Sequence, residues 1–336
     1  LAGLARRLVW AQRLTNLSGI INESNLDMET VACNQCGSTD SVEIGSIPDL
    51  LLERLDVSAR LVRCRHCGLV YQNPRPTLGE MAQHYPPEYE PYTDYASQRQ
   101  VNPLLRRAYE YGTDKRCRFV TKYKQGGRLL DIGCAAGTFF FFFRRQGSWE
   151  VEGVEPSAGT AELARGHGLK VFTGTLEEAH YPSDGFDAVT MWDVLEHVHD
   201  PAGTVREIRR VLKPGGILLV RVPNLASWDA RLFGKTWAGL DAPRHLFVFT
   251  PQTLRLMLQE QGMDVIEESS KIGSYVTFVL SVRFWMTARR ASPAAKQRVS
   301  GLLYHPVMRV ASAPLFYIPS SIKRGPLLVT IAQKPG

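Results

Sequence analysis

Residues 129–140, LLDIGCAAGTFF, follow the order strand, acidic end, glycine turn and helix, and this order decides the fold. The apolar run at the start predicts a buried strand that ends near Asp131. Asp131, Gly133 and Gly137 form D-x-G-x-x-x-G rather than G-x-G-x-x-G, because Ala135 stands where the second glycine would be. A glycine turn after a first strand lets backbone approach a ligand closely, so the segment predicts a binding loop.

Strands and helices alternate on both sides of this loop. Apolar runs predict strands at 128–132, 150–155, 170–173, 186–192, 217–222, 265–268 and 327–332. Helical patterns are found at 102–123, 138–145, 158–167, 201–212 and 250–261. The second of these contains five consecutive phenylalanines, which we expect in the core. Strands separated by helices favour an α/β fold with a doubly wound, Rossmann-like sheet of seven mostly parallel strands.

Three further signals follow the loop in order. Glu155 ends the second strand, where a carboxylate can accept hydrogen bonds from both hydroxyls of a ribose. The string WDVLEHVHDP, at 192–201, follows the fourth strand, and RVLKPGG, at 210–216, precedes the fifth. Taken alone, Glu155 could be a solvated strand end and His197 a helix residue with a local hydrogen bond. Taken together and in this order, the glycine loop and these three signals indicate that one edge of the sheet binds a nucleoside.

These four ordered motifs resemble the class I S-adenosylmethionine-dependent methyltransferases, from about residue 128 to the C-terminus. The resemblance implies S-adenosylmethionine as cofactor and methyl transfer as activity. It implies that the residues around the methionine part are Asp131, Gly133, Cys134, Ala135 and Gly137. It further implies Glu155 at the ribose, Ser157 as another cofactor contact, Thr175 and Leu176 beside the adenine, and Trp192 and His197 on the other side of the pocket.

Two cysteine pairs precede this region. Cys33-x-x-Cys36-Gly and Cys64-x-x-Cys67-Gly are separated by 27 residues. Two such turns supply four thiolates for a tetrahedral Zn²⁺, and four sulfur ligands leave no open position for catalysis. The spacing therefore predicts a structural, ribbon-like zinc module, with a redox C-x-x-C as the alternative.

Composition sets outer limits on these interpretations. The chain has 336 residues, 40 basic and 33 acidic, with a net charge of +7. These proportions exclude a wholly disordered chain, a collagen and a disulfide-stapled miniprotein. The longest apolar runs fall short of the roughly 18 residues that a membrane-spanning helix needs. No secretory signal precedes the cysteines, so we expect a reducing, cytoplasmic setting.

The expected organisation is a tail at 1–30, the zinc module at 31–75, a connector with a leading helix at 76–125, and the methyltransferase domain at 126–336 with an insertion at 272–325. The module and the domain are expected to have separate cores. Met28 is a candidate initiator, which would make residues 1–27 an upstream read-through or non-native segment. The alternative is that these residues form a short basic helix.

Acceptor contacts are expected after the fifth strand. His245, in A-P-R-H-L, has the unperturbed pKa of a base near neutral pH, and Arg244 could bind an acceptor anion bidentately. The alternatives are a histidine that caps a helix and an arginine that pairs with Asp241. Both residues are therefore candidates for the catalytic site.

The insertion at 272–325 contains eight basic residues and no acidic one. Apolar and basic residues at helical spacing predict helices that make peripheral contact with a membrane. The alternative is a helical lid packed over the acceptor pocket.

The resemblance to ribbon-bearing members implies a small-molecule, saccharide or lipid-linked acceptor. Sugar C-methylation is less favoured, because the deoxysugar enzymes have an extra C-terminal domain that this chain lacks. One alternative is an RNA methyltransferase that grips RNA through the ribbon, although nucleic acid is the less favoured partner. Another is a non-catalytic, cofactor-binding partner of a second enzyme.

Overall fold

The computed structural model describes residues 27–85, 103–137, 139–140, 143, 148–271 and 274–336. Residues 1–26 of the predicted tail, residues 86–102 of the predicted connector and parts of the predicted helix at 138–145 lie outside the described residues. Phe139, Phe140 and Phe143 of that helix are buried, as predicted, whereas Phe141 and Phe142 lie outside the described residues.

The described residues form β-strands and α-helices as follows. The strands are β1 Met28–Glu29, β2 Ser41–Asp49, β3 Arg54–Cys64, β4 Val70–Gln72, β5 Arg75–Pro76, β6 Gly127–Ile132, β7 Trp149–Glu155, β8 Lys170–Thr173, β9 Phe186–Trp192, β10 Leu212–Pro223, β11 Phe247–Val248, β12 Asp264–Ser269 and β13 Leu327–Gln333. The helices are α1 Leu78–Met81, α2 Pro103–Thr121, α3 Ala158–Gly166, α4 Pro201–Val211, α5 Trp228–Phe233, α6 Pro251–Glu260, α7 Ser274–Ala288, α8 Pro293–Leu303, α9 Pro306–Ala311 and α10 Ala313–Ser321. Short 3₁₀ turns cover Ala82–His84, Leu195–His197, Gly234–Thr236 and Ala238–Leu240.

The large sheet has seven strands in the order β12-β13-β10-β9-β6-β7-β8. The pairs from β10 to β8 are parallel, and β13 runs antiparallel to both of its neighbours. This arrangement confirms the predicted α/β class. The chain leaves β6 toward β7 on one side and returns through β9 on the other. The strand order therefore reverses beside the carboxyl end of β6, where open α/β sheets bind ligands.

Helix α4 and strand β10 meet at the Lys-Pro-Gly-Gly sequence of residues 213–216, where a helix is expected to stop. The helix ends at Val211, one residue before the predicted end, but the strand begins at Leu212 rather than at Ile217. A register shift between Leu212 and Ile217 accommodates the extra residues against β9. A bulge of this kind lets a strand continue through a sequence that would stop a helix.

The N-terminal module is joined to the large domain. Strand β11, from the segment that contains His245, pairs with β4 and completes a four-stranded sheet of order β11-β4-β3-β2. Gln72 donates from Nε2 to the carbonyls of Pro243 and His245, at 2.8 and 2.7 Å. Cys33 and Cys64 belong to the same buried cluster as the main-sheet core. The expectation of separate cores is therefore wrong, because residues distant in sequence close one sheet and share one apolar interior.

Within the described part of the chain, no helix combines the length and the apolar character needed to cross a membrane.

Candidate functional site

The loop after β6 is held in a tight left-handed conformation. Gly133 and Gly137 have φ of 68° and 77°, and Ala135 also has a positive φ, of 48°. A Cβ at Gly133 would lie 2.5 Å from Cγ2 of Val194, which follows β9. Only glycine allows this approach, so the loop lies directly against the segment that carries Asp193 and His197.

Asp131 lies at the end of β6 with its side chain buried. The Thr190 hydroxyl, on neighbouring β9, donates to Asp131 Oδ1 at 2.6 Å. Burial raises the pKa of Asp131 to about 7, against the opposing effect of the Thr190 hydrogen bond. The carboxyl is therefore fixed in direction and poised to interact with a positively charged ligand group.

Glu155 ties the glycine loop to the end of β7. Its Oε2 accepts from the backbone N–H of Ala135 at 3.0 Å, and its Oε1 from that of Ser157 at 2.9 Å. Burial raises the pKa of Glu155, while these two backbone donors favour the ionised form. A carboxylate has about four acceptor positions, so two stay available for a diol.

The remaining predicted cofactor residues lie at the same edge. Cys134 is buried against Gly153, and Ser157 begins α3. The N–H of Gly174 donates to the Glu155 carbonyl at 3.1 Å, which brings Thr175 and the buried Leu176 alongside. The chemistry of this edge fits a nucleoside, and each cofactor contact stays a prediction.

Two histidines face one another on the far side of the loop. The rings of His197 and His245 meet edge-on with centroids 4.6 Å apart. One ligand atom from each, together with a carboxylate oxygen of Glu196, lies within 4.8 Å of the others. Two imidazoles and a carboxylate are ligands that a divalent cation accepts, and they are equally suited to polar contacts with an acceptor.

Backbone carbonyls fix the tautomer of both rings. His245 Nδ1 lies 2.9 Å from the Gly239 carbonyl, and His197 Nδ1 lies 3.0 Å from the Arg244 carbonyl. A carbonyl only accepts, so each Nδ1 carries the proton and each Nε2 presents a lone pair. Tyr85 also contacts His197 Nδ1, through its hydroxyl at 2.8 Å.

The electrostatic surroundings keep both imidazoles neutral. Burial lowers the pKa of His197 to about 3, assisted by its neighbour His245. Burial also lowers the pKa of His245, although Asp241 opposes the shift. The Glu196 carboxyl is buried, and neither oxygen has a hydrogen-bond partner among the described residues. Burial and the nearby charge of Asp193 raise its pKa well above the ordinary value.

Arg244 has a structural role in this arrangement. Its side chain is fully buried and bridges two carboxylates, with Nη2 at 2.8 Å from Asp49 and 2.7 Å from Asp241. Asp49 also binds Arg54, at 2.9 Å from Nε. The predicted contact between Arg244 and an acceptor anion is therefore wrong, because both faces of the guanidinium fork are already paired. The alternative of pairing with Asp241 is what the structure shows.

The four cysteines of the N-terminal module converge. The Sγ atoms of Cys33 and Cys67 lie 3.5 Å apart, as do those of Cys36 and Cys64, and none forms a disulfide. A tetrahedron of sulfurs about 2.3 Å from a zinc ion has edges of about 3.8 Å. The observed separations therefore fit a four-thiolate metal site.

The two cysteine turns repeat the same hydrogen bonds. The amide of Cys33 donates to Ser38 and that of Cys64 to Leu69, both at 2.9 Å. The glycine after each pair donates back to the first cysteine, from Gly37 at 2.8 Å and from Gly68 at 3.1 Å. Two turns with the same hydrogen-bond pattern are typical of paired metal knuckles rather than of one redox motif.

Several residues of the site were not predicted from sequence. Glu196 and Asp193 stand in the quoted string at 192–201, so two acids beside His197 were a usable signal. Tyr85 and Asp49 gave no such signal, because Tyr85 reaches the site from the connector and Asp49 from the N-terminal module.

Comparisons with known proteins found the following similarities. The methyltransferase domain family matches residues 97–268. The chain is similar to a ubiquinone biosynthesis O-methyltransferase of Bradyrhizobium sp., with 31% identity over 55% of this chain and 79% of the relative. It is 37% identical to the same-named enzyme of Alkalilimnicola ehrlichii. This match covers 30% of this chain and 43% of that relative, so the chain spans less than half of that enzyme's length. A solved S-adenosylmethionine-dependent methyltransferase from Mesorhizobium loti aligns with a TM-score of 0.42 and 19% identity, over 62% of this chain and 91% of that one.

Proposed function

The chain belongs to the methyltransferase domain family and is an S-adenosylmethionine-dependent methyltransferase, and from this premise we propose that it methylates a hydroxyl group of a small-molecule acceptor. The observation that carries the proposal is the pair of neutral imidazoles at the ligand-binding edge, whose Nδ1 atoms are held by backbone carbonyls and whose Nε2 atoms have no hydrogen-bond partner among the described residues. A hydroxyl becomes a better nucleophile when a base accepts its proton. The names of the relatives, which are O-methyltransferases, support the same acceptor chemistry.

The cofactor, when bound, supplies an electrophilic methyl group on a sulfonium centre. The chain's own residues hold the reactants and move one proton. In this proposal Glu155 accepts from the ribose hydroxyls, and Asp131 faces the positively charged methionine end. His245 Nε2 accepts the proton of the acceptor hydroxyl, while its Nδ1 stays hydrogen-bonded to the Gly239 carbonyl. Burial of this edge excludes water, which strengthens each polar contact.

The acceptor class in this proposal includes phenolic, saccharide and lipid-linked hydroxyl compounds. An acceptor anion would meet residues other than Arg244, because that side chain is paired. Incorporation of labelled methyl from S-adenosylmethionine into a panel of phenols, catechols and sugars tests the proposal. Transfer only to carbon, or to none of the panel, would contradict it.

Glu155→Ala is expected to weaken S-adenosylhomocysteine binding by about 1.5–3 kcal/mol, roughly 10–100-fold. The variant loses the proposed ribose contacts and also releases the Ala135 amide that shapes the loop. Isothermal titration calorimetry measures the change. Glu162→Ala is a matched control, since Glu162 is exposed on α3. Unchanged affinity in a folded Glu155 variant would refute the ribose assignment.

His245→Asn is expected to lower kcat about 100-fold, the lower range for loss of a general base. The asparagine amide can still donate to the Gly239 carbonyl, so cofactor affinity should stay the same. Because burial lowers the pKa of His245 below 6.5, the unprotonated base persists as the pH falls, and the acid limb of the wild-type rate should lie below pH 6.5. A pH–rate profile measures this limb.

His197→Asn provides the comparison, since that asparagine can likewise donate to the Arg244 carbonyl. If His197→Asn loses the rate and His245→Asn does not, the base is His197. If neither variant changes kcat, the imidazole base is ruled out.

We also propose that Cys33, Cys36, Cys64 and Cys67 hold a structural Zn²⁺. The convergent sulfurs and the repeated turns support it. Four thiolates would close the coordination sphere, so the ion would stabilise the fold and take no part in methyl transfer. Metal-bound thiolates also support the predicted location in a reducing cytoplasm.

A further inference from the structure

The insertion between β12 and β13 exposes an unusual amount of apolar surface. Ten of the nineteen large apolar side chains that are exposed among the described residues belong to it. They are Val276, Trp285, Leu302, Tyr304, Val307, Val310, Leu315, Tyr317, Ile318 and Ile322. Soluble monomers rarely leave such groups clustered, and clusters of this kind mark interaction sites.

Helix α10 explains how the surface arises. The helix turns Phe316 and Ser320 into the protein, and the two are separated by one helical turn. Leu315 and Ile318 are one turn apart on another face, and Ile322 follows directly after the helix; all three are more than half exposed. The helix is thus apolar on its outer face as well as its inner one. We call the exposed apolar side chains of residues 302–322 the apolar face.

The charges of the insertion are all basic, and the structure divides them into two groups. Arg283 and Lys296 pair with Glu53, and Lys323 pairs with Glu268. Lys296 is also buried, so it cannot serve as a surface charge. The exposed remainder is Arg289, Arg290, Arg298, Arg309 and Arg324.

The insertion lies beside the acceptor side of the sheet. Ser281 of α7 accepts from the Ala238 amide at 2.9 Å, in the segment that leads to His245. Trp228, after β10, stacks on Phe278 with ring centroids 5.8 Å apart. The carbonyls of Lys323 and Gly325 accept from Asn224, directly after β10. A partner that bound the insertion would therefore lie close to the edge of the sheet where His197 and His245 meet.

We propose that the apolar face and its exposed arginines dock the protein on the surface of an anionic lipid bilayer. The apolar side chains enter the boundary between headgroups and acyl chains, and the arginines meet the lipid phosphates. A second copy of the chain is the weaker occupant, because an isologous contact would bring two basic surfaces together. RNA is also the weaker occupant. The exposed aromatic side chains and arginines offer it stacking and phosphate contacts, but seven of the ten exposed apolar side chains are aliphatic and would be left in water.

Vesicle co-sedimentation tests the proposal on the full-length protein, with no cofactor or acceptor present. The two probes are vesicles of phosphatidylcholine alone and of phosphatidylcholine mixed with phosphatidylglycerol. Wild type is expected to bind the anionic vesicles at low salt and to dissociate as salt rises, because exposed charges are screened within about 8 Å at physiological ionic strength. Methyl transfer is not measured, so this result is independent of the proposed O-methylation.

Two variants separate the charged and apolar contributions. Arg298, Arg309 and Arg324 changed together to glutamine should weaken anionic binding roughly 100-fold, since each basic residue near such a bilayer contributes about fivefold. Ile318→Asp should weaken anionic binding roughly tenfold, because it removes one apolar side chain that docking would bury. Both variants change exposed residues, so circular dichroism and unfolding midpoints should match wild type.

Matched controls lie elsewhere on the surface. The charge control replaces Arg63, Arg118 and Arg206 with glutamine, and the apolar control is Leu78→Asp, at a leucine that is 70% exposed. Both controls should sediment with anionic vesicles as wild type does. Equal loss in the controls and the insertion variants would overturn the proposal.

Three other results would overturn it. The first is the absence of wild-type binding to either vesicle at low salt. The second is a dimer in analytical ultracentrifugation that Ile318→Asp dissociates, which would make a second copy the occupant. The third is binding of the wild type to polyuridylate, lost in the arginine variant. In this case Ile318→Asp would bind both RNA and vesicles as the wild type does.

Discussion

Replacing Arg244 with methionine is expected to lower the free energy of unfolding by about 3–5 kcal/mol, the usual cost of removing one partner from a buried ion pair. The variant leaves Asp49 and Asp241 facing each other without the guanidinium that bridges them at 2.8 and 2.7 Å. Chemical denaturation at neutral pH measures the loss. The effect should be global, because Asp49 belongs to the N-terminal module and Asp241 to the large domain.

The pH dependence of this loss has a definite sign. Burial opposes ionisation of Asp241, but the charge of Arg244 outweighs it and holds the pKa of Asp241 below its ordinary value. In wild type that carboxylate therefore contributes stability above pH 3.8, and the contribution disappears as the pH falls through the lower, folded-state pKa. Without Arg244 the carboxyl group takes up a proton more readily. The difference between wild type and variant should shrink as the pH is lowered.

A compensated variant separates charge from packing. Combining Arg244→Met with Asp49→Asn and Asp241→Asn removes the stranded charges and should recover part of the stability, since neutral replacements of a whole ion cluster are often tolerated. Arg244→Lys should fall between, because one ammonium group cannot bind both carboxylates bidentately. If Arg244→Met unfolds at the wild-type denaturant concentration, this ion cluster does not stabilise the junction.

The large sheet could be predicted from sequence because its strands are set by local apolar runs. Lys170–Thr173 and Phe186–Trp192 match the predicted strands residue for residue. The cap signals were also local, and Thr250 forms the expected start of α6 by accepting from the Thr253 amide at 3.1 Å. These features depend on neighbours within a few positions, so the pattern of residue types is sufficient.

The junction between the module and the domain could not be predicted in this way. Gln72 reaches the Pro243 carbonyl across 171 positions, and Arg244 reaches Asp49 across 195. Strand β11 has two residues, too few for an alternating pattern to appear. Arg244 and His245 are neighbours in sequence, but only the fold shows that Arg244 is paired with two carboxylates and that His245 is held at Nδ1 by the Gly239 carbonyl.

This junction connects the proposed metal site to the edge that we propose as catalytic. Cys33 and Cys64 pack in the cluster that also contains Tyr71 of β4 and Phe247 of β11. Two residues before Phe247 lies His245, whose carbonyl accepts from Gln72 at 2.7 Å. A change in the module would thus alter the backbone that orients the proposed base.

Removing zinc, or replacing Cys64 with serine, is expected to have the largest effect on stability. Structural zinc contributes about 10–16 kcal/mol to the folding of small zinc-finger peptides, because the unfolded chain has no preformed site. Elemental analysis of the reduced wild-type protein should find about one zinc ion per chain, and Cys64→Ser should lose most of it. Cys117→Ser is the matched control, because Cys117 is a buried free thiol outside the cluster.

Since the two regions share a core, Cys64→Ser should also weaken cofactor binding and unfold in one transition. Wild type without metal would refute the zinc site, and a Cys64 variant that loses zinc but binds S-adenosylhomocysteine normally would show that the module and the domain fold independently.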